Sequence, residues 1–278
     1  MLTFSERLDA ACAANHSLVC VGLDPDPSLM PTEDVFAFNR ALVNATHDLV
    51  CAYKPNFAFY EALGLPGLRA LEQTIGHIRD EAPQVLLIAD AKRGDIGNTA
   101  AAYARALFDV WGFDAATVNP YLGGDAVSPF LDYRDKGTFV LCRTSNPGAG
   151  DFQDLVVSDN ASGGGPLFQQ VALRALEWDR YGNLGLVVGA TYPRELEEVR
   201  TLCPNMPFLV PGIGSQGGDL EQSVRYGTTA SGRRAIANSS RGIIYASRGP
   251  DFAEAARSAT EQLRDGINGV LDSEGRGW

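Results

Sequence analysis

Leu86-Leu87-Ile88-Ala89-Asp90-Ala91-Lys92-Arg93-Gly94-Asp95-Ile96-Gly97-Asn98-Thr99 is the stretch on which the architecture turns. Its first four residues are all apolar and do not alternate with polar ones. A strand with one wet face alternates, whereas a strand covered on both faces, as in a parallel sheet, does not. The charges begin where the apolar run stops. Asp90 and Lys92 stand two apart, so at a strand end they point to the same side. A buried strand that opens directly into Asp-x-Lys-x-x-Asp places a carboxylate and an ammonium side by side in a concave, partly dry place.

The same unit recurs on either side. Short apolar, β-rich runs at 18–23, 49–53, 85–89, 115–118, 138–142, 184–188, 208–210 and 235–238 are each followed by glycine, proline or acidic punctuation. Helical segments are predicted at 32–48, 65–81, 98–111, 166–181, 193–202, 218–226 and 252–271, with start signals at 95–99 and 158–166. Eight alternations at about 35 residues each give the usual βα repeat of an α/β (βα)8 TIM barrel. A doubly wound open sheet is the second choice. No shift in composition marks a boundary, so one domain is expected over 1–278. The unusual residues gather at the carboxyl ends of the runs, the edge where both architectures do chemistry.

The bulk properties narrow the functional classes. The chain has 278 residues, 45% hydrophobic and 21% charged, with a formal charge of −11. That charge argues against nucleic acid or an anionic membrane as partner, since both need a basic face. It does not exclude a small anionic substrate, because charges beyond about 8 Å are screened and a few local cations set the potential. No apolar run approaches the roughly 20 residues that cross a bilayer, and the first residues lack the basic flank and apolar middle of a secretion signal. The expected location is the cytoplasm. Five cysteines without a Cys-x-x-Cys pair read as reduced and structural. His16, His47 and His77 are isolated, no cluster has metal-ligand spacing, and Gly-x-Ser-x-Gly is absent.

Two more strand ends add to the first. Asp24 follows the first run and Lys54 the second, so Asp24, Lys54, Asp90 and Lys92 would stand in register at one mouth. Alone, Asp24 or Lys54 reads as a surface charge and the Asp90/Lys92 pair as a structural salt bridge. Four together suggest an alternating network that keeps a lysine protonated where burial would depress its pKa, and such a lysine can protonate a developing carbanion. Near the seventh run, Gly212-Ile213-Gly214-Ser215-Gln216-Gly217 formally matches a dinucleotide fingerprint but lacks the surrounding βαβ unit. Its glycines suit either phosphate binding or a tight turn. Arg241, after the eighth run, offers a fork for phosphate, and barrels often hold phosphate between these two loops. Ser145 begins a long loop after the fifth run and either bonds a ligand or caps a turn.

These motifs, in this order, resemble the orotidine 5′-phosphate decarboxylase family, specifically its longer bacterial branch. The resemblance runs from Gly22-Leu23-Asp24-Pro25 through Tyr53-Lys54-Pro55-Asn56, the Asp90 to Thr99 stretch, Thr117-Val118-Asn119-Pro120-Tyr121 and Ser145-Asn146-Pro147-Gly148 to Ser240-Arg241-Gly242. It implies cofactor-free conversion of orotidine 5′-monophosphate to uridine 5′-monophosphate by a homodimer. Lys92 would donate the proton, Asp90 would lie beside the departing CO2, and Lys54 would partner Asp90 and the ribose. Asp24 would hold a ribose hydroxyl, Ser145 the pyrimidine, and Gln216 with Arg241 the phosphate. Asp95, Ile96 and Thr99 would be lent to the neighbouring barrel. Relative to shorter members, Asn119-Pro120 and Ser239-Ser240 differ and the loop after the fifth run is longer. Rival readings are a metal-dependent sugar-phosphate decarboxylase or synthase, for which an acidic residue is expected where Lys54 stands, a Schiff-base aldolase using Lys54 or Lys92, and a phosphate-binding barrel without chemistry.

Overall fold

The computed structural model describes residues 2–158, 164–213 and 219–278. Eight strands close into a parallel barrel: β1 (Val19–Leu23), β2 (Ala52–Pro55), β3 (Leu86–Arg93), β4 (Ala115–Val118), β5 (Gly137–Arg143), β6 (Leu184–Val188), β7 (Phe208–Pro211) and β8 (Ala235–Ser239). Each strand pairs with its sequence neighbours, and β8 closes on β1 through Val19↔Ala237 and Cys20↔Asn238. The open-sheet alternative is thereby excluded. Strands β1, β2, β4, β6 and β8 are buried at every residue, which is why their sequences show no alternation. All five cysteines are buried and free. No described helix is long and apolar enough to cross a membrane.

Several elements depart from the sequence reading. Strand β3 runs on to Arg93 rather than ending at Ala89, because a register irregularity against β4 lets it continue through its charged residues. Helices at Phe4–Ala14, Phe57–Glu61 and Gly124–Leu131 were not expected. The last two are only five and eight residues long, and the second carries Gly124 and Pro129, so hydrophobic periodicity had little to register. The helix expected at 98–111 is α-helical over Gly97–Arg105, then widens to π geometry at Ala106–Val110, where the Trp111 amide bonds to the Ala106 carbonyl. The expected helix at 218–226 is described from Leu220, capped by the Asp219 carboxylate on the Gln222 N–H.

The floor of the barrel is sealed from outside the repeat. Helix Phe4–Ala14 starts with a Thr3/Glu6 capping box, which points the fully buried Phe4 under the barrel, edge-on to Phe139 at 5.8 Å. A Cβ at Gly137 would lie 2.4 Å from the Phe4 ring, so that glycine is what admits the plug. Beside it Asp114, 2% exposed, accepts bonds from Arg7, from Arg79 at 2.7 Å and from the Leu87 amide at 2.9 Å. Burial raises the pKa of that carboxyl, but Arg79 and Arg7 outweigh burial and hold it below the usual range. Removing the carboxylate takes the acceptor from two arginines and an amide at once, and the counter-charge from Lys136 at 3.9 Å. Asp114→Ala should therefore lose roughly 3 kcal/mol, the low end for breaking a buried ion pair, because both arginines keep some solvent. Urea unfolding measures the loss. A midpoint equal to that of the parent would refute the structural role, and kcat of the folded fraction should not change.

Candidate active site

The mouth at the carboxyl ends of the strands holds the charges that the sequence brings there. Lys54, at the end of β2 and 4% exposed, donates from Nζ to Asp90 Oδ2 at 2.8 Å. Lys92, on the same strand as Asp90, donates from Nζ to Asp90 Oδ1 at 2.6 Å, while its side chain stays 51% exposed. One carboxylate is thus clamped between a buried ammonium and a wet one. Burial alone would raise the Asp90 pKa, but Lys54 and then Lys92 outweigh it and hold the carboxyl well below the normal carboxylate range. Burial alone would likewise lower the Lys54 pKa, but the charges of Asp90 and Asp24 outweigh it and push it above the ordinary lysine value. The network keeps Asp90 anionic and Lys54 cationic.

The sequence reading missed Thr117, which fixes this geometry. Its hydroxyl donates to Asp90 Oδ1 at 3.1 Å and accepts the amides of Ala91 at 3.1 Å and Lys92 at 2.9 Å. Those bonds hold Lys92 at φ +45°, a left-handed conformation that costs a non-glycine residue roughly 1–2 kcal/mol. The twist falls where β3 slips register against β4, and it brings the Lys92 ammonium back onto Asp90. A hydroxyl in the otherwise apolar run 115–118 was the available signal.

A cavity of about 390 Å³ opens above the pair, lined by Lys54, Asp90, Lys92, Thr117, Ser145 and Gln153 among others. Ser145 approaches β6 closely, since a Cβ on Gly189 would lie 2.8 Å from the Ser145 Cβ. A smaller recess of about 70 Å³ adjoins it between β1, β7 and β8, lined by Asp24, Gly212, Asn238, Ser240 and Arg241. Buried oxygens of Asp24 and Asn238 have no hydrogen-bond partner there among the described residues. Arg241, exposed on the rim, opens the short helix Arg241–Ile244. Gln216 lies outside the described residues.

Asp95, Ile96 and Thr99 do not line the cavity of their own chain. The Asp95 carboxylate accepts the Ile96 amide at 2.8 Å, and Ile96 is 59% exposed. Among the described residues, the carboxylate that meets the Lys92 ammonium is that of Asp90. Among the described residues, no group of three or more His, Cys, Asp or Glu side chains could hold a metal ion.

A closed parallel barrel with an ion-paired lysine at its mouth, a cavity above it and an arginine-edged recess beside it has the layout of a barrel enzyme with its site at the carboxyl ends of the strands. The sequence pattern of the orotidine 5′-phosphate decarboxylase / HUMPS family matches residues 17–259. The chain belongs to that family and is a carboxy-lyase. An orotidine 5′-phosphate decarboxylase from Dehalococcoides mccartyi is 52% identical over 268 residues, 96% of this chain and 98% of that one. Another from Roseiflexus castenholzii is 51% identical over 277 residues, covering 97% and 99%. The solved structure of Leishmania donovani OMP decarboxylase superposes with a TM-score of 0.84 at 39% identity, covering 97% of this chain and 99% of that one.

Proposed function

We propose that this enzyme converts orotidine 5′-monophosphate to uridine 5′-monophosphate and CO2, the last step of de novo UMP synthesis, with Lys92 as proton donor. The observation that carries this reading is the Asp90 carboxylate held between Lys54 and Lys92 at the base of the main cavity. The bond from C6 of the pyrimidine to the carboxylate carbon breaks, CO2 leaves, and the electron pair stays on C6. That carbanion has little resonance relief, so a preset cation beside it stabilises charge as it develops. An N–H bond of Lys92 then breaks, its proton forms the new C6–H bond, and the half-exposed amine regains a proton from water. Asp90, anionic next to the substrate carboxylate, favours CO2 release. Lys54 anchors Asp90 and reaches the ribose. No cofactor enters the scheme.

The remaining contacts follow the two cavities. Ser145 on the wall of the larger one holds the pyrimidine, Asp24 with its unpartnered oxygen holds a ribose hydroxyl, and Arg241 at the recess holds the phosphate together with Gln216. Asp95, Ile96 and Thr99 are not part of the lining of their own cavity, and Ile96 and Thr99 are exposed, as residues lent to a second copy in a cytoplasmic homodimer would be. A Schiff-base role for Lys54 is disfavoured, since its raised pKa keeps the amine protonated whereas a nucleophilic amine needs the opposite. The test is to follow the absorbance of orotidine 5′-monophosphate with purified enzyme in excess EDTA. Full turnover is expected. Activity lost to EDTA and restored by a divalent metal would refute the cofactor-free scheme, and no turnover under either condition would refute the substrate.

A further inference from the structure

The loop after β5 carries a clamp that the proposed chemistry does not use. Arg143, the last residue of β5, is the largest fully buried side chain among the described residues, and its guanidinium lies 4.0 Å over the Tyr192 ring. It donates from Nη1 to the Thr144 carbonyl at 3.3 Å and to Gln153 Oε1 at 3.5 Å, and from Nη2 to Asp154 at 3.2 Å. Gln153 closes the circuit. Its Oε1 accepts the Thr144 amide at 2.8 Å and its Nε2 donates to the Thr144 hydroxyl at 2.9 Å. The Gln153 backbone is itself pinned, with its amide on the Ala149 carbonyl and its carbonyl on the Phe168 amide. Both polar ends of one half-buried side chain are thus spent on the residue that precedes Ser145.

Ser145 is bounded on the opposite side as well. Gly189 leaves no room for a Cβ against it, and the Thr191 hydroxyl donates to the Ser145 carbonyl at 3.3 Å. A buried arginine is costly to desolvate, and a single half-exposed carboxylate partner offsets little of that cost. Its fork reaches three acceptors belonging to the strand end and to the returning loop, which suits a group whose task is to fix one relative to the other.

We propose that Gln153, braced by Arg143, is a positioning residue that sets Ser145 on the cavity wall and thereby the fit of the substrate's base. The inference rests on the reading of Ser145 as the pyrimidine contact. Gln153 acts through Thr144 and Ser145, so its loss loosens binding of the base in ground state and transition state alike.

Steady-state kinetics with orotidine 5′-monophosphate on the full chain provide the test. Gln153→Ala should raise KM about tenfold, the worth of a well-made hydrogen-bond pair, and leave kcat within about threefold. Ser145→Ala should raise KM by at least as much, and the double variant should go no further than Ser145→Ala alone, since residues acting through one contact are not additive. Arg143→Lys keeps the charge but not the fork, and should also raise KM. Its thermal midpoint, with that of Gln153→Ala, reports whether the fold stands. An unchanged KM in Gln153→Ala, or a double variant showing the product of the two single effects, would overturn the positioning role. An unchanged KM in Ser145→Ala would instead overturn the reading of Ser145 beneath it.

Discussion

Lys92→Ala is expected to lower kcat by roughly 10⁴-fold or more while the barrel stays folded. The amine is assigned two tasks, stabilising negative charge at C6 and delivering the proton, and each is worth about 10²-fold or more where such groups have been removed from enzymes. The fold should survive for a structural reason. The Lys92 side chain is half in water, and its removal leaves the Lys54–Asp90 pair intact at 2.8 Å. The backbone at residues 91 and 92 remains held by the hydrogen bonds from their two N–H groups to the Thr117 hydroxyl. Circular dichroism and a binding measurement with uridine 5′-monophosphate separate lost chemistry from lost structure. A variant that keeps even a tenth of the parental kcat would remove Lys92 from the mechanism.

Lys54→Met should be the more damaging change to stability. It replaces a buried cation with an apolar side chain of similar length and leaves the buried Asp90 carboxylate with the Thr117 hydroxyl and, among the described residues, only the half-exposed Lys92 as counter-charge. Breaking a buried pair from one side costs about 3 kcal/mol or more. The pH dependence identifies the cause. The parental Asp90 pKa lies below its unfolded value, so its stabilising contribution is complete above about pH 4 and drains away as pH falls toward the folded pKa. The parental Lys54 pKa is raised, so that contribution is complete below about pH 10 and fades only as pH rises through the folded value. In Lys54→Met, desolvation of Asp90 is no longer outweighed by its buried partner, and protonating Asp90 relieves the variant. The two urea stability curves, well separated at pH 7, should converge below pH 4. Curves that stay parallel into acid would show that the ion pair is not the source of the difference.

The barrel was legible because its strands are covered on both faces, and eight unalternating runs such as 184–188 carry that fact in their composition. Asp90 and Lys54 were legible because strand ends place side chains by simple parity, and Lys92 because it stands two residues on, although the twist at φ +45° rather than parity turns its ammonium onto Asp90. Thr117 was not, since a threonine is an ordinary strand residue and only the bulge in β3 turns its hydroxyl into a brace for residue 92. Arg143 and Gln153 were invisible for a different reason. They are ten positions apart, and their contact depends on how the 147–151 turn folds the loop back, which no periodicity encodes.

The Asp114 cluster and the Asp90 network sit at opposite ends of the same strands, three residues apart along β3 and β4, or about 10 Å. Energies of changes that far apart add rather than interfere. A lineage of this enzyme could therefore accumulate tolerance at the barrel floor and draw on it while its rim loops drift in length and sequence. The reserve against mutation is stored where no reacting atom depends on it.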